Sequence, residues 1–331
     1  MSHYHVYGIG AALVDTEIEV SDSDLHNLSI DKGVMTLVDE SRQQQLIEHL
    51  SNHLVASRRA SGGSAANTII AASYFGASAF YSCKVANDEN GDFYLGDLQA
   101  AGVDYHRELQ REDGVTGKCL VMITPDAERT MNTYLGAAVH LSPEEIDEEA
   151  VAASKVTYLE GYLWDAPPAK EAYLKAAKIA HANGREVALS LSDPFCVDRH
   201  RASFLDLVAG HVDLLFANED ELLSLYEVGS FDEALQRVRG HCKVAALTRS
   251  EKGAVILSGE EIHVIDAAPV EKVVDTTGAG DLFAAGFLYG YSKGLGLDLC
   301  GRLGALAAAE IISHYGARPE ADLAELAKAV L

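Results

Sequence analysis

The chain is poor in cysteine, tryptophan and basic residues, and it has no long apolar run. Each shortage excludes something. Its five cysteines (Cys83, Cys119, Cys196, Cys242, Cys300) are odd in number and scattered, with no C-x-x-C pair. Neither a disulfide framework nor structural zinc is expected, and reduced thiols suit a cytoplasmic setting. No apolar stretch reaches the length of a bilayer span, and Met1-Ser2-His3-Tyr4-His5 lacks the basic start and long apolar core of a secretory leader. Basic residues number 26 against 50 acidic ones, a formal charge of −24. That balance argues against nucleic acid and anionic membranes as partners. No G-x-x-x-x-G-K-[ST] occurs, so P-loop chemistry is not expected. What is present is ordinary for a globular protein: 331 residues, 48% hydrophobic and 23% charged, enough for one large α/β unit or two domains.

Apolar runs alternate with helical patterns along most of the chain. Strands are expected at 6–10, 79–85, 156–159, 186–191, 212–217, 243–247 and 254–257. Helices are expected from Asp39 or Ser41 to about Val55, and at 93–101, 168–183, 218–226, 231–239 and 282–290. This order predicts a mainly parallel sheet with helices on both faces. Two excursions, at about 12–38 and 103–136, are rich in strands and predict a small second sheet over one end of the first. The turn Asn87–Gly91 precedes the helix at 93.

Three glycine-rich or capped helix starts are candidates for chemistry. In Asp275-Thr276-Thr277-Gly278-Ala279-Gly280-Asp281, a small-residue turn opens an apolar helix. Unpaired amides and the helix dipole make such a turn an anion site. Asp281 beside it is either a helix cap or the acceptor of a proton from an attacking hydroxyl; the dipole predicts a depressed pKa for it. In Ser61-Gly62-Gly63-Ser64-Ala65-Ala66-Asn67, Asn67 shares a helix face with the turn. Tight helix packing explains the small residues equally well, and Ser64 has only part of a hydrolase elbow, G-x-S-x-G. Asn218-Glu219-Asp220-Glu221 starts a helix; capping and the placing of a hydrated Mg²⁺ both fit it. Asp15 lies just past the first strand, where open α/β sheets bind ligands. Gly8-Ile9-Gly10 suggests a dinucleotide turn, but Leu13 replaces the third glycine and a strand pattern follows.

In this order and spacing the motifs point one way. The chain resembles the ribokinase-like, PfkB-type carbohydrate kinases over nearly its full length. The resemblance rests on S-G-G-S-A-A-N at 61–67, G-A-S-A-F-Y-S-C-K-V-A-N-D-E-N-G-D-F at 76–93, E-R-T-M-N-T at 128–133, N-E-D-E at 218–221 and D-T-T-G-A-G-D-L-F-A-A-G-F at 275–287. It implies one Rossmann-like (ribokinase-like) α/β domain over 1–331 with a small β lid. It also implies transfer of the ATP γ-phosphate to a hydroxymethyl group. Position by position, it implies that Asp281 is the catalytic base, that the Gly278, Ala279 and Gly280 backbone stabilises the transferred phosphoryl, and that Arg129 reaches the phosphates. Asp15, Gly62, Gly63 and Asn67 would hold the acceptor. Asn218, Thr248, Ser250 and Gly253 would meet the nucleotide, with Ser250 standing where the family usually has glycine. Asn218 and Glu221 would serve Mg²⁺ through water, and Asp275 and Thr277 a monovalent cation such as K⁺.

Gly10-Ala11-Ala12-Leu13-Val14-Asp15 and the stretch at 31–40 resemble the adenosine kinase branch, although Ala11 replaces an Asn usual there. The expected acceptor is adenosine; ribose, fructose or a related keto-sugar is the alternative, and the protein is expected as a monomer or homodimer. From other classes, an NAD-dependent oxidoreductase built on Gly8 and Gly10 and a non-catalytic ligand sensor stay open.

Overall fold

The computed structural model describes residues 3–54, 57–126 and 128–331. Val55, Met1 and Ser2 lie outside these residues; the helix expected from Asp39 or Ser41 to about Val55 runs over Glu40–His49 and so ends short of the expected position.

Nine strands form the main sheet, in the order Glu261–Ile265, Ala254–Ser258, Val244–Thr248, Leu214–Asn218, Glu186–Ser190, Ser154–Glu160, Tyr4–Ile9, Ala79–Ser82 and Val103–Asp104. All neighbours are parallel except at the first edge, where Ala254–Ser258 is antiparallel to both its partners. The central strands read as continuous apolar runs because both faces are covered. Alternate side chains go to opposite faces: Tyr7, Ile9 and Leu159 pack among helices Pro167–Ala182, Pro194–His211 and Glu219–Tyr226. Val6, Tyr81 and Tyr158 pack with helices Ser64–Tyr74, Glu89–Ala100 and Ala279–Ser292.

Five strands form the second sheet, in the order Met35–Leu37, Arg129–Tyr134, Gly117–Ile123, Leu13–Glu19 and Arg58–Gly62. Ile18, Val20, Leu120 and Met122 bury its outer face against Leu25, Leu46 and Leu50 of the helices Asp22–Asn27 and Glu40–His49 and the residue that ends the second of them. Its other face carries Leu13, Asp15, Cys119, Met131 and Thr133 into a large cavity.

Three expectations need correction. Val103–Asp104, expected in the small sheet, pairs in parallel with Ala79 and Phe80 at the edge of the main one. Arg58–Gly62 completes the small sheet although it lies outside both excursions; its pairing with Leu13–Glu17 makes it a strand, not its own composition. The turn at 87–91 is already helix from Glu89, because Asp88 accepts the Gly91 amide at 2.8 Å and caps it. Gly8 and Gly10 are packing glycines. A Cβ on either would strike helix Ser64–Tyr74, through Ile69 or Ala65, and Leu13–Glu19 follows as a strand, so the dinucleotide turn is absent there. No helix among the described residues is long and apolar enough to cross a membrane.

Candidate functional site

The carboxyl ends of the parallel strands and the inner face of the small sheet enclose a cavity of about 1010 Å³. At one place on its wall the chain turns from Asp275 into helix Ala279–Ser292. Gly278 caps that helix at φ 78°, a left-handed conformation that glycine adopts without a Cβ penalty. The amide of Ala279, expected to face a phosphoryl group, donates instead to the Thr276 carbonyl at 3.2 Å. No hydrogen bond among the described residues engages the amides of Gly278, Gly280 or Asp281. The free amides therefore differ from the expected set in one member, Asp281 in place of Ala279, and together they can receive an anion.

Asp281, in the first turn of this helix, lines the cavity. Ser64 Oγ donates to its Oδ1 at 2.6 Å and Asn67 Nδ2 to its Oδ2 at 3.0 Å. Both donors come from the first turn of helix Ser64–Tyr74, so the two glycine-led helix starts meet at the cavity through Asp281. Burial pushes the Asp281 carboxyl above its ordinary range, and the two donors offset only part of this. The depressed pKa expected from the helix dipole is thus reversed. A helix terminus contributes roughly 0.3–1 kcal/mol near a surface, and desolvation outweighs it here. Ser64 has no histidine beside it in the cavity lining; its hydroxyl serves Asp281, which removes the hydrolase elbow.

The lining also holds Asp15, Gly63 and a residue that sequence reasoning missed, Glu160. A Cβ on Gly62 would collide with the Asp15 carboxylate, and one on Gly63, at φ 99°, with the Ala11 carbonyl. Both glycines are thus required by close approach. Burial raises the Asp15 carboxyl to about 7, with Arg129 opposing and Glu17 adding to the shift. Glu160 is 0% exposed, ends its strand, and accepts the amides of Ala11 at 2.7 Å and Ala65 at 2.8 Å. It clamps the loop after the first strand to the start of helix Ser64–Tyr74. Burial raises its carboxyl to about 7 against the pull of those amides.

A carboxyl raised on folding favours the folded state in acid, and that contribution is lost as pH rises from roughly 4 towards 7. Without ligands, the melting temperature is expected to fall between pH 5 and 7.5, and Glu160→Gln to flatten the fall. An unchanged slope in calorimetry would contradict the raised value.

At the nucleotide end the residues expected to meet ATP are spread out. Asn218, Glu221 and Thr248 line the cavity; Ser250 and Gly253 are not among its lining residues. Ser250 sits at φ 52°, which accounts for the glycine usual at that position and places a strained residue there. Asn218 and Glu221 form a reciprocal cap: Asn218 Oδ1 accepts the Glu221 amide at 2.8 Å, and Glu221 Oε2 accepts the Asn218 amide at 3.0 Å. Burial raises Glu221 to about 7, the Asn218 amide lowers it, and Asp193, Asp220 and Asp281 add to the rise. Among the described residues the cavity lining holds the carboxylates of Asp15, Glu160, Asp165, Asp193, Glu221 and Asp281 but only Arg199 as a cation, and Asp165 already pairs it at 2.8 Å. A polyanionic ligand therefore needs an added cation. Glu221, Asp193 and the Asn218 amide group offer the hard oxygen atoms that suit a hydrated Mg²⁺. Among the described residues no three His, Cys, Asp or Glu side chains gather into an all-protein metal site, so the remaining ligands would be water and phosphate.

Arg129 does not line the cavity. Its guanidinium is 8% exposed, pairs with Glu17 at 3.0 Å, and meets Asp275 Oδ2 through Nη1. Asp275 Oδ1 accepts the Thr277 amide at 2.9 Å, and Oδ2 also accepts that of Gly316 at 3.2 Å. Burial pushes the Asp275 carboxyl up, but the Thr277 amide and Arg129 outweigh it and hold it below the ordinary range. A monovalent cation on this carboxylate would stand ~4 Å from the guanidinium, a repulsion of about 4 kcal/mol at an effective dielectric of ~20. The donors expected to hold K⁺ do not fit it on Asp275.

Comparison with known proteins places these features in context. The pattern of the pfkB family carbohydrate kinases matches residues 25–323. A crystal structure of adenosine kinase from Sinorhizobium meliloti is 46% identical, covers 99% of each chain and superposes with a TM-score of 0.90. A probable sugar kinase from Rhizobium etli CFN 42 is also 46% identical, covers 100% of each chain and gives 0.91. Adenosine kinase of Saccharomyces cerevisiae is 29% identical over 331 aligned positions, 93% of this chain and 94% of that one.

Proposed function

The chain belongs to the pfkB family of carbohydrate kinases and is a phosphotransferase, and from that premise we propose that it phosphorylates the hydroxymethyl group of a nucleoside, adenosine above others. Family membership implies ATP as donor. The observation that carries the acceptor reading is the make-up of the cavity mouth. Val34, Met35 and Leu37 from the edge of the small sheet, with Tyr162 and Phe195 from the main body, line the cavity yet remain solvent-exposed. A bare sugar offers only small C–H patches to cover them; a purine offers two broad flat faces. Burying about 100 Å² of purine contributes about 2.5 kcal/mol at ~25 cal/mol per Å², roughly 70-fold in affinity.

In this reading the γ-phosphoryl lies on the free amides of Gly278, Gly280 and Asp281, and the acceptor hydroxymethyl points at Asp281. Ser64 and Asn67 hold the carboxylate in place. As the acceptor oxygen bonds to phosphorus, its proton passes to Asp281 and ADP departs. A base raised by burial does this better at neutral pH than a depressed one. Asp15 accepts two ring hydroxyls, and Glu160 keeps the loop and helix around them in register. The nucleotide lies past Asn218, Thr248 and the turn from Ser250 to Gly253. Asn218, Asp193 and Glu221 would hold a hydrated Mg²⁺, which would supply charge neutralisation at the phosphates. The small sheet covers the acceptor as a lid on a single α/β unit.

A sugar acceptor is the second reading, favoured by Ala11, where adenosine kinases usually carry Asn, and by the likeness to the probable sugar kinase. ADP release with adenosine, inosine, ribose and fructose separates the two. Adenosine is expected to exceed ribose in kcat/KM by more than ~50-fold, and Leu37→Ser to narrow the gap. Equal or better turnover of ribose or fructose would replace the nucleoside with a sugar.

A further inference from the structure

Two charged side chains of the small sheet and one of the phosphoryl loop form a buried cluster outside the cavity. Arg129 begins the strand Arg129–Tyr134, and Glu17 lies on Leu13–Glu19, two residues beyond Asp15. Asp275 opens the turn that ends in the free amides. The Arg129 guanidinium bridges the two carboxylates, and the Asp275 side chain is 6% exposed. Through its other contacts Asp275 fixes the Thr277 and Gly316 amides and so the path of the chain into Gly278. A buried carboxylate in this position needs a permanent positive partner, because losing it would leave an uncompensated charge beside the anion hole.

We propose that Arg129 is a built-in monovalent cation: its guanidinium supplies at Asp275 the charge that a bound K⁺ would otherwise supply, so the phosphoryl loop is set without any added monovalent ion. Arg129 is then a positioning residue and not a phosphate contact. Guanidinium suits the task because it stays charged at every working pH and its planar donors reach two carboxylates at once. The cluster also ties Glu17, on the acceptor-binding strand, to the loop that receives phosphate. The inference rests on the phosphotransferase reading of Gly278–Asp281 for its effect on rate, but not for its effect on cation binding.

The test compares KCl with tetramethylammonium chloride at equal ionic strength, on the full chain, by thermal shift and by ADP release. For the wild type, both melting temperature and rate are expected to be the same in the two salts, within about 1 °C and 2-fold. For Arg129→Met, the rate is expected to fall at least 10-fold in tetramethylammonium, and millimolar guanidinium or K⁺ to restore part of it along with the melting temperature. A wild-type melting temperature or rate that rises specifically with K⁺ overturns the proposal, and so does an Arg129→Met enzyme that keeps its rate with no added cation. Should Arg129→Met not fold, the wild-type comparison decides alone. Absence of ADP release by the wild type would refute the kinase reading, whereas the thermal comparison judges Arg129 without it.

Discussion

Replacing Asp281 by Asn is expected to lower kcat by at least ~100-fold, the lower bound for losing a positioned general base, with little change in the melting temperature. Asn keeps the shape of the side chain and can still accept from Ser64, so the two helix starts remain joined. What it removes is the ability to take a proton. Asp281→Ala should lose as much rate. The pH dependence provides a second check. Because burial raises the Asp281 carboxyl, kcat of the wild type should fall on the acid side at a pH above the ordinary range of a carboxylate. The sign follows from the role: only the ionised form accepts the proton, so activity is present above the raised pKa and lost below it. Pre-steady-state quench of ADP formation measures the step directly. An Asp281→Asn enzyme within ~10-fold of wild type would show that Asp281 joins the two helix starts and does no more.

Asp15→Asn is expected to act on the acceptor alone. A charge-assisted hydrogen bond is worth roughly 1.5–3 kcal/mol, so losing it should raise the acceptor KM about 10- to 150-fold with the KM for ATP nearly unchanged. Asp15 is the second carboxyl whose ionisation matters, at about 7 in the free protein. Acceptor hydroxyls bind the ionised form, so kcat/KM for the acceptor should drop as pH falls below about 7. In Asp15→Asn that acid limb should shrink, while the limb in kcat, set by Asp281 in the complex, remains. If both KM values rise together, Asp15 shapes the cavity in general and does not hold the acceptor.

The main sheet was readable because its parallel strands are covered on both faces and so appear as unbroken apolar runs. The glycine-led helix starts at 61–67 and 275–281 were readable because an anion turn and a close helix approach both require small residues in sequence. What escaped depends on distant partners. Arg58–Gly62 contains little that favours a strand, and only the ladder to Leu13–Glu17 extends it. Helix Pro194–His211 carries the cap Asp193 and a proline in its first turn, a signal that was present but interrupted by the polar run around the kink at His200. Glu160 has no spacing signature; a lone carboxylate directly after an apolar strand at the ligand end of the sheet is its only trace. The sign of the Asp281 shift was missed for the same reason. The dipole belongs to the helix and can be read locally, whereas the burial that overrides it comes from packing between elements far apart in sequence. Arg129 reads in the sequence as a turn residue just before the strand that it in fact begins, and its partners Glu17 and Asp275 emerge only when the small sheet is set against the phosphoryl loop.

The most direct test of a phosphoryl pocket facing a hydroxymethyl acceptor is the identity of the bond formed. Purified protein, ATP and adenosine would be incubated with Mg²⁺ and the product examined by proton-coupled ³¹P NMR. The expected product carries phosphate on a primary carbon, its phosphorus signal split by two methylene protons, in equal amount with ADP. Phosphate on a ring hydroxyl, split by one proton, would contradict the placement of Asp281 against the acceptor, and ADP formed together with free inorganic phosphate alone would contradict the transfer itself.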